Sequence, residues 1–146
     1  MTSISVEQLT FTFDPSVVPF QYEKDSVCVT GWPQGSKVVD VVAHDLPVPA
    51  ALTWLIEAKD YRVITNPPKR TNLAGLAGTV EAKVRDSLAA LPVVGTQSTN
   101  AAAKAHALAG SAAPAMRVVL HLEPPQRQVF MRLSPRRAGS PTCCSR

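Results

Sequence analysis

Three side chains in the middle of the chain have types and spacing that could do chemistry together. Asp40 lies in KVVDVVAH, residues 37–44, and Glu57 and Lys59 lie in WLIEAKDYRV, residues 54–63. Both stretches are apolar and rich in β-branched residues, the pattern of buried strands. Charges inside such strands need a cause, because removing a charge from water is costly unless it is paired or bound to a metal. Strand side chains alternate between faces, so residues two apart point the same way. Leu55, Glu57, Lys59 and Tyr61 therefore share one face, and Val38, Asp40, Val42 and His44 share a face of the other strand. If the strands pair with Asp40 beside Glu57, two carboxylates and an ammonium converge. Neighbouring carboxylates raise each other's pKa unless a cation lies between them. A divalent metal is the usual remedy, and oxygen-only ligands favour Mg²⁺ or Mn²⁺.

The expected chemistry follows from that set. Asp40 and Glu57, with a backbone carbonyl such as that of Ala58, are the candidate metal ligands. A metal there acidifies a bound water and neutralises charge on a phosphate oxygen. Lys59 orients or helps deprotonate the water and stabilises the developing anion. This suits phosphodiester hydrolysis better than acyl or hydride transfer. On this reading the strand lines an open cleft, where metal and phosphate neutralise its charges. Tyr61, Arg62 and Lys83 are candidate substrate contacts, with Lys69, Arg70 and Arg85 as further phosphate contacts. Plainer readings stand beside each: Tyr61 as core, Arg62, Lys69 and Arg70 as solvated loop, Lys83 and Arg85 as the outer face of a helix. The acids have two plainer readings as well, a noncatalytic binding or assembly module on the same sheet, or a charge cluster in which Glu57 pairs with Lys59 or Lys37.

The elements that must position these residues can be read from periodicity. VEQLTFTF, residues 6–13, alternates after Gln8 as a half-buried strand does, and Asp14-Pro15 ends it. A short strand is expected at Ser26 to Thr30, followed by a turn through Gly31, Pro33 and Gly35. The strands holding Asp40 and Glu57 are separated by a short proline-bearing connector, which predicts an antiparallel hairpin. Beyond Asn66-Pro67-Pro68 the period changes. Leu73, Leu76, Ala77, Val80, Val84, Leu88 and Leu91 recur at three- and four-residue steps, predicting a helix closed by Pro92, with Glu81 and Arg85 as an i,i+4 pair. An alanine-rich stretch from Thr99 to Ala113 reads as a second helix or a partly ordered linker. Met116 to Leu122 is a further strand. The order predicts a small α/β domain over residues 1–123.

An acid in one strand, Glu-x-Lys in the next, and then a helix resembles the PD-(D/E)xK nuclease superfamily. The matching residues are Asp40 and, seventeen positions on, Glu57-Ala58-Lys59. The WLIEAKDYR phrase is also similar to one in a group of bacterial proteins that share a WLIE-x-KDYR segment, a likeness that runs to about Glu123. The resemblance implies a restriction-endonuclease-like mixed sheet with flanking helices, incomplete at its C-terminal end, a Mg²⁺ or Mn²⁺ cofactor and a nucleic-acid substrate, DNA before RNA. It also implies a homodimer, since relatives that cut duplex DNA often pair. The chain departs from the pattern in having Val39 where the signature has proline, and only Glu23 stands where an early-helix acid would be.

An acid-x-Lys triplet arises by chance roughly once per ~150 residues at average composition, and the chain contains a second one, Glu81-Ala82-Lys83. On a helix, residues two apart diverge by about 200°, so this second triplet should not converge on a metal. His44 shares the Asp40 face but reads as structural or solvated. His106 and His121 have no ligand-like neighbours in sequence. No Gly-rich phosphate loop, Ser-His-Asp order or zinc-type cysteine spacing is present.

Bulk composition narrows the class. The chain has 146 residues and a net charge of +4, yet residues 124–146 hold five arginines and no acid. Residues 1–123 carry ten Lys/Arg against eleven Asp/Glu, so the basicity belongs to the tail. That Pro/Arg/Ser-rich tail reads as disordered. No apolar run approaches the roughly 20 residues of a membrane span, and no basic segment followed by an apolar one marks a secretory leader. Cys28, Cys143 and Cys144 suit a reducing, cytoplasmic setting.

Overall fold

The computed structural model describes residues 1–22, 36–47, 50–62 and 73–123. The expected strand at Ser26 to Thr30, Glu23, Lys69, Arg70, the three cysteines and the basic tail lie outside these. Among the described residues there are eight elements: β1 (Thr2–Val6), β2 (Leu9–Phe13), β3 (Val17–Gln21), β4 (Val41–Asp45), β5 (Leu52–Asp60), α1 (Leu73–Gln97), α2 (Ala101–Ala112) and β6 (Ala115–Glu123). The fold is α/β, with a mixed four-stranded sheet, a separate two-stranded sheet and two helices.

The four-stranded sheet runs β3-β4-β5-β6. Its first two pairings are antiparallel, and β5 pairs with β6 in parallel. A parallel neighbour demands a crossover, which α1 and α2 supply. Pro19 lies in β3, an edge strand, where its missing N–H can be tolerated.

Each face of the sheet has its own cover. Val41, Ile56 and Ala58 pack against Val6 and Leu9 of the β1–β2 hairpin. Val42 and Leu55, on the other face, pack against Leu91, Val94, Ala103 and Ala107 of the helices. Alternation along the strands sorts residues to these two cores, so Glu57 faces the helices with Leu55. The segment expected as one strand from Val6 to Phe13 is instead the second half of a tight hairpin. Its turn places Glu7 at φ 53°, a left-handed conformation that a non-glycine residue seldom adopts. The Glu7 carboxylate accepts the Asp60 N–H at 3.0 Å, which fastens the turn to the end of β5.

Pro92 lies inside α1 rather than closing it. Proline removes one intrahelical donor and leaves the Leu88 carbonyl without its usual partner. Both Pro92 and Leu88 are exposed, so water can serve that carbonyl, while Leu91 and Val94 on the buried face hold the last turn to the core. The alanine-rich stretch is a helix, started by Asn100, whose side chain accepts the N–H groups of Ala102 and Ala103. Small side chains let α2 lie close to the sheet, where Thr53 Oγ1 donates to the Gly110 carbonyl at 2.9 Å.

Candidate functional site

The β4–β5 register pairs Val41 with Ile56 and Val42 with Leu55. Asp40, one residue before β4, thus falls opposite Glu57. The Ala58 N–H donates to Asp40 Oδ2 at 2.7 Å, locking the carboxylate against β5. β4 begins at Val41 and not at Lys37, because the backbone before it bonds to α1. The Lys37 N–H donates to Asp86 Oδ2 at 3.1 Å and the Val39 N–H to Ser87 Oγ at 2.9 Å. Asp40 therefore stands at a junction where strand pairing gives way to helix contact.

That helix also brings a cation. Lys83 Nζ lies 2.8 Å from Glu57 Oε2 and 3.4 Å from Asp40 Oδ1, bridging the two carboxylates. Glu57 is fully buried, Asp40 is 3% exposed and Lys83 is 7% exposed. Lys59 Nζ closes on the other oxygen, 2.9 Å from Glu57 Oε1, and is the most open member of the cluster. Although near enough for an ion pair, Lys59 is not aligned for a hydrogen bond, and Oε1 is buried with no aligned donor among the described residues. Two carboxylates and two ammonium groups give a cluster of zero net charge. The charges expected to need an open cleft are instead neutralised within the protein, largely from α1.

Desolvation works to lower the Lys59 ammonium, but pairing with Glu57 and the charges of Glu57, Asp40 and Glu7 outweigh it and hold it above its ordinary value. Lys59 is consequently protonated at neutral pH: a donor and a positive charge, not a base.

Sequence comparison with protein-family models and with curated proteins, and structural comparison with solved structures, found no match to this chain.

The other candidates divide by face. Ala58 directs its side chain toward the hairpin core, while its N–H turns to Asp40; the carbonyl of a strand residue leaves on the same side as its N–H. Tyr61 follows β5 and is half-buried, its N–H donating to the Glu123 carbonyl. Arg62 is not brought to the acids. Its guanidinium is taken up by Asp60, at 2.9 and 2.7 Å, and by the Gln8 carbonyl of the hairpin turn. Those hydrogen bonds hold the Asp60 carboxyl down to about 2. Arg85 pairs with Asp86 at 3.6 Å rather than with Glu81. His121 lies 3.3 Å from Glu123 and edge-on to Phe11. Among the described residues, no group of three or more His, Cys, Asp and Glu could surround a metal, so an ion at this site would have two protein carboxylates.

Sequence reasoning offered Lys83 as a substrate contact, or more plainly as part of a charged outer face; it is instead the cation that bridges the two carboxylates. The buried side chains of α1 among the described residues are Lys83, Ser87, Ala90, Leu91 and Val94, a helical stripe one step round from the apolar one. Lys83 and Ser87 occupy its first two turns. Their polarity hid the stripe, but two polar residues spaced i,i+4 in line with Leu91 and Val94 were the available signal.

Proposed function

We propose that the chain is a nuclease-like phosphodiesterase acting on nucleic acid, with Asp40 and Glu57 as the carboxylates of a Mg²⁺ or Mn²⁺ site. The observation that carries this reading is the strand register that sets Asp40 against Glu57, with Lys59 two residues on along the same face. The donors fit a hard divalent ion: two carboxylates, of which Glu57 Oε1 is buried without an aligned donor among the described residues, and a backbone carbonyl at Ala58 turned the same way. A metal bound there would acidify a water and offset charge on a phosphate oxygen. Lys59, protonated and the most exposed of the four, would receive a phosphate oxygen and stabilise the charge that develops on it. Lys83 holds the two carboxylates together, and a metal bound there would share them with it. Nucleic acid, DNA before RNA, is the proposed substrate, a homodimer the proposed assembly and a reducing cytoplasm the proposed setting.

Lys83 also supports a second reading, a noncatalytic binding or assembly module. Its bridge to both carboxylates already supplies the positive charge that a metal would bring. Calorimetric titration of Mg²⁺ and Mn²⁺ into wild type, Asp40→Ala and Lys83→Met separates the two, paired with cleavage assays on single- and double-stranded DNA and RNA. Metal binding abolished in Asp40→Ala, with metal-dependent cleavage by wild type only, supports the enzyme. Absence of metal binding and cleavage in wild type, with nucleic-acid binding indifferent to EDTA, replaces it with the module.

A further inference from the structure

At the far end of the same sheet face from the acidic pair, two imidazoles meet. His44 stands four residues along from Asp40, roughly 13 Å by strand rise, and His106 comes from the middle of α2. Their ring centroids are 4.7 Å apart with planes tilted by 46°. Both side chains are more than nine-tenths buried, His44 at 3% and His106 at 5% exposure. Phe20 packs against the His106 ring at 5.2 Å and steadies it. An open groove of about 320 Å³ leads to the pair, with Val18, Phe20, Leu46 and Ala102 among its apolar walls.

Each ring sets one nitrogen on a backbone carbonyl. His44 Nδ1 is 3.1 Å from the Asp45 carbonyl oxygen, and His106 Nε2 is 3.1 Å from that of Val18. A carbonyl can only accept, so these two nitrogens carry the protons. The lone pairs then fall on His44 Nε2 and His106 Nδ1. The latter is buried and has no hydrogen-bond partner among the described residues. An imidazole that donates one N–H to a carbonyl while its other nitrogen stands unprotonated has the arrangement that orients metal-binding histidines.

We propose that His44 Nε2 and His106 Nδ1 are the two protein ligands of a separate site for a borderline divalent ion such as Zn²⁺, with the groove leaving its other positions to water or an incoming ligand. Imidazole nitrogen selects such ions, whereas the carboxylates of Asp40 and Glu57 suit Mg²⁺ or Mn²⁺. With Zn–N bonds of about 2.0–2.1 Å, two imidazoles on one tetrahedral ion have ring centroids about 5 Å apart. The observed 4.7 Å is close to that spacing.

The test is calorimetric titration of Zn²⁺ into the full chain with Cys28, Cys143 and Cys144 changed to serine, since thiolates compete for this ion. One equivalent should bind. His44→Phe and His106→Phe, which keep an aromatic ring in each place, should each weaken binding at least tenfold, while Glu81→Ala, at an exposed position of α1, leaves it unchanged. No Zn²⁺ binding by the cysteine-free chain, or binding by either phenylalanine variant as tight as that of the parent chain, overturns the site. Should either variant fail to fold by circular dichroism, Co²⁺ loading of the cysteine-free chain decides. A four-coordinate ligand-field band accompanied by paramagnetic broadening of the His44 and His106 ring signals supports the proposal. The same band with those signals untouched refutes it.

Discussion

The chain carries Glu-Ala-Lys twice, once in β5 and once in α1, and the two copies meet at one site by different routes. In the strand, Glu57 and Lys59 share a face, and their charged ends lie 2.9 Å apart. In the helix, Glu81 and Lys83 diverge. Glu81 is exposed to solvent, and Lys83 turns inward to bridge Glu57 and Asp40. The strand copy delivers both of its charges to the cluster, and the helix copy delivers only its cation. Identical triplets thus differ in what they contribute because the backbone period differs, 2 against 3.6. A triplet has chemical meaning only with the element that carries it.

The largest test of that difference removes the helical cation. Lys83→Ala leaves two buried carboxylates facing each other with only Lys59, at the cluster's open side, to offset them. Breaking a buried pair from one side costs about 3–5 kcal/mol, and urea unfolding at neutral pH should show a loss of that order. A loss under about 1 kcal/mol would mean that the carboxylates find another cation or take up a proton, and that Lys83 is not what holds them.

Much of this arrangement was legible before any coordinates. Alternation in KVVDVVAH and LTWLIEAKD assigned faces correctly, and the short connector between them gave the pairing sense; the register that sets Asp40 opposite Glu57 was a condition of the reading and came from the structure. The first helix and β6 also followed from period and composition, whereas the alanine-rich stretch left helix and linker open until Asn100 was seen to cap it. What could not be read depended on partners distant in sequence. Asp40 lies just outside β4 because Ser87 and Asp86, 48 and 49 residues on from Val39 and Lys37, take the backbone donors before it. Lys83 was a candidate substrate contact, but its role as the buried bridge escaped because hydrophobic periodicity treats a buried lysine as a break in the stripe. Pro92 misled in the opposite direction: its local effect on the helix is real, but the packing of Leu91 and Val94 outweighs it.

A smaller effect is expected at the junction that aligns the two copies. Ser87 Oγ accepts the Val39 N–H at 2.9 Å and donates to the Lys83 carbonyl at 2.7 Å, tying the approach to Asp40 onto the helix that bears Lys83. Ser87→Ala leaves the buried Val39 N–H without its acceptor, a penalty of about 1–3 kcal/mol. The amide of Val39 should also exchange with solvent faster, by hydrogen–deuterium exchange. Unchanged protection there would show that the segment holds Asp40 in place without the helix.

The strand lysine offers a pH test. Pairing in the folded state holds Lys59 above its ordinary 10.5. The protonated form therefore favours the folded chain, fully so below that ordinary value, and the advantage is lost as pH rises through the folded one. Tyr22, buried and held above its ordinary value by that burial, titrates in the same alkaline direction, so the contribution of Lys59 must be read as a difference. Between pH 9 and 12, wild type should lose more stability than Lys59→Met. Parallel curves for the two proteins would place the Lys59 charge in solvent, uncoupled from Glu57.

The smallest expected effect completes the comparison, because it substitutes the acid in each triplet. Glu81 projects to solvent and its expected partner, Arg85, pairs with Asp86. Glu81→Ala removes a solvated charge and adds the best helix former, so its effect should stay within about 0.5 kcal/mol of wild type. Glu57→Ala, the same change in the strand copy, strips Lys83 of its nearest partner inside a buried cluster and leaves a cavity where a fully buried side chain stood. Unfolding by urea should rank the pair at least about 2 kcal/mol apart. Near-equal losses would mean that α1 holds Glu81 in a contact the present geometry lacks. The division of labour between the two triplets would then fail at its simplest point.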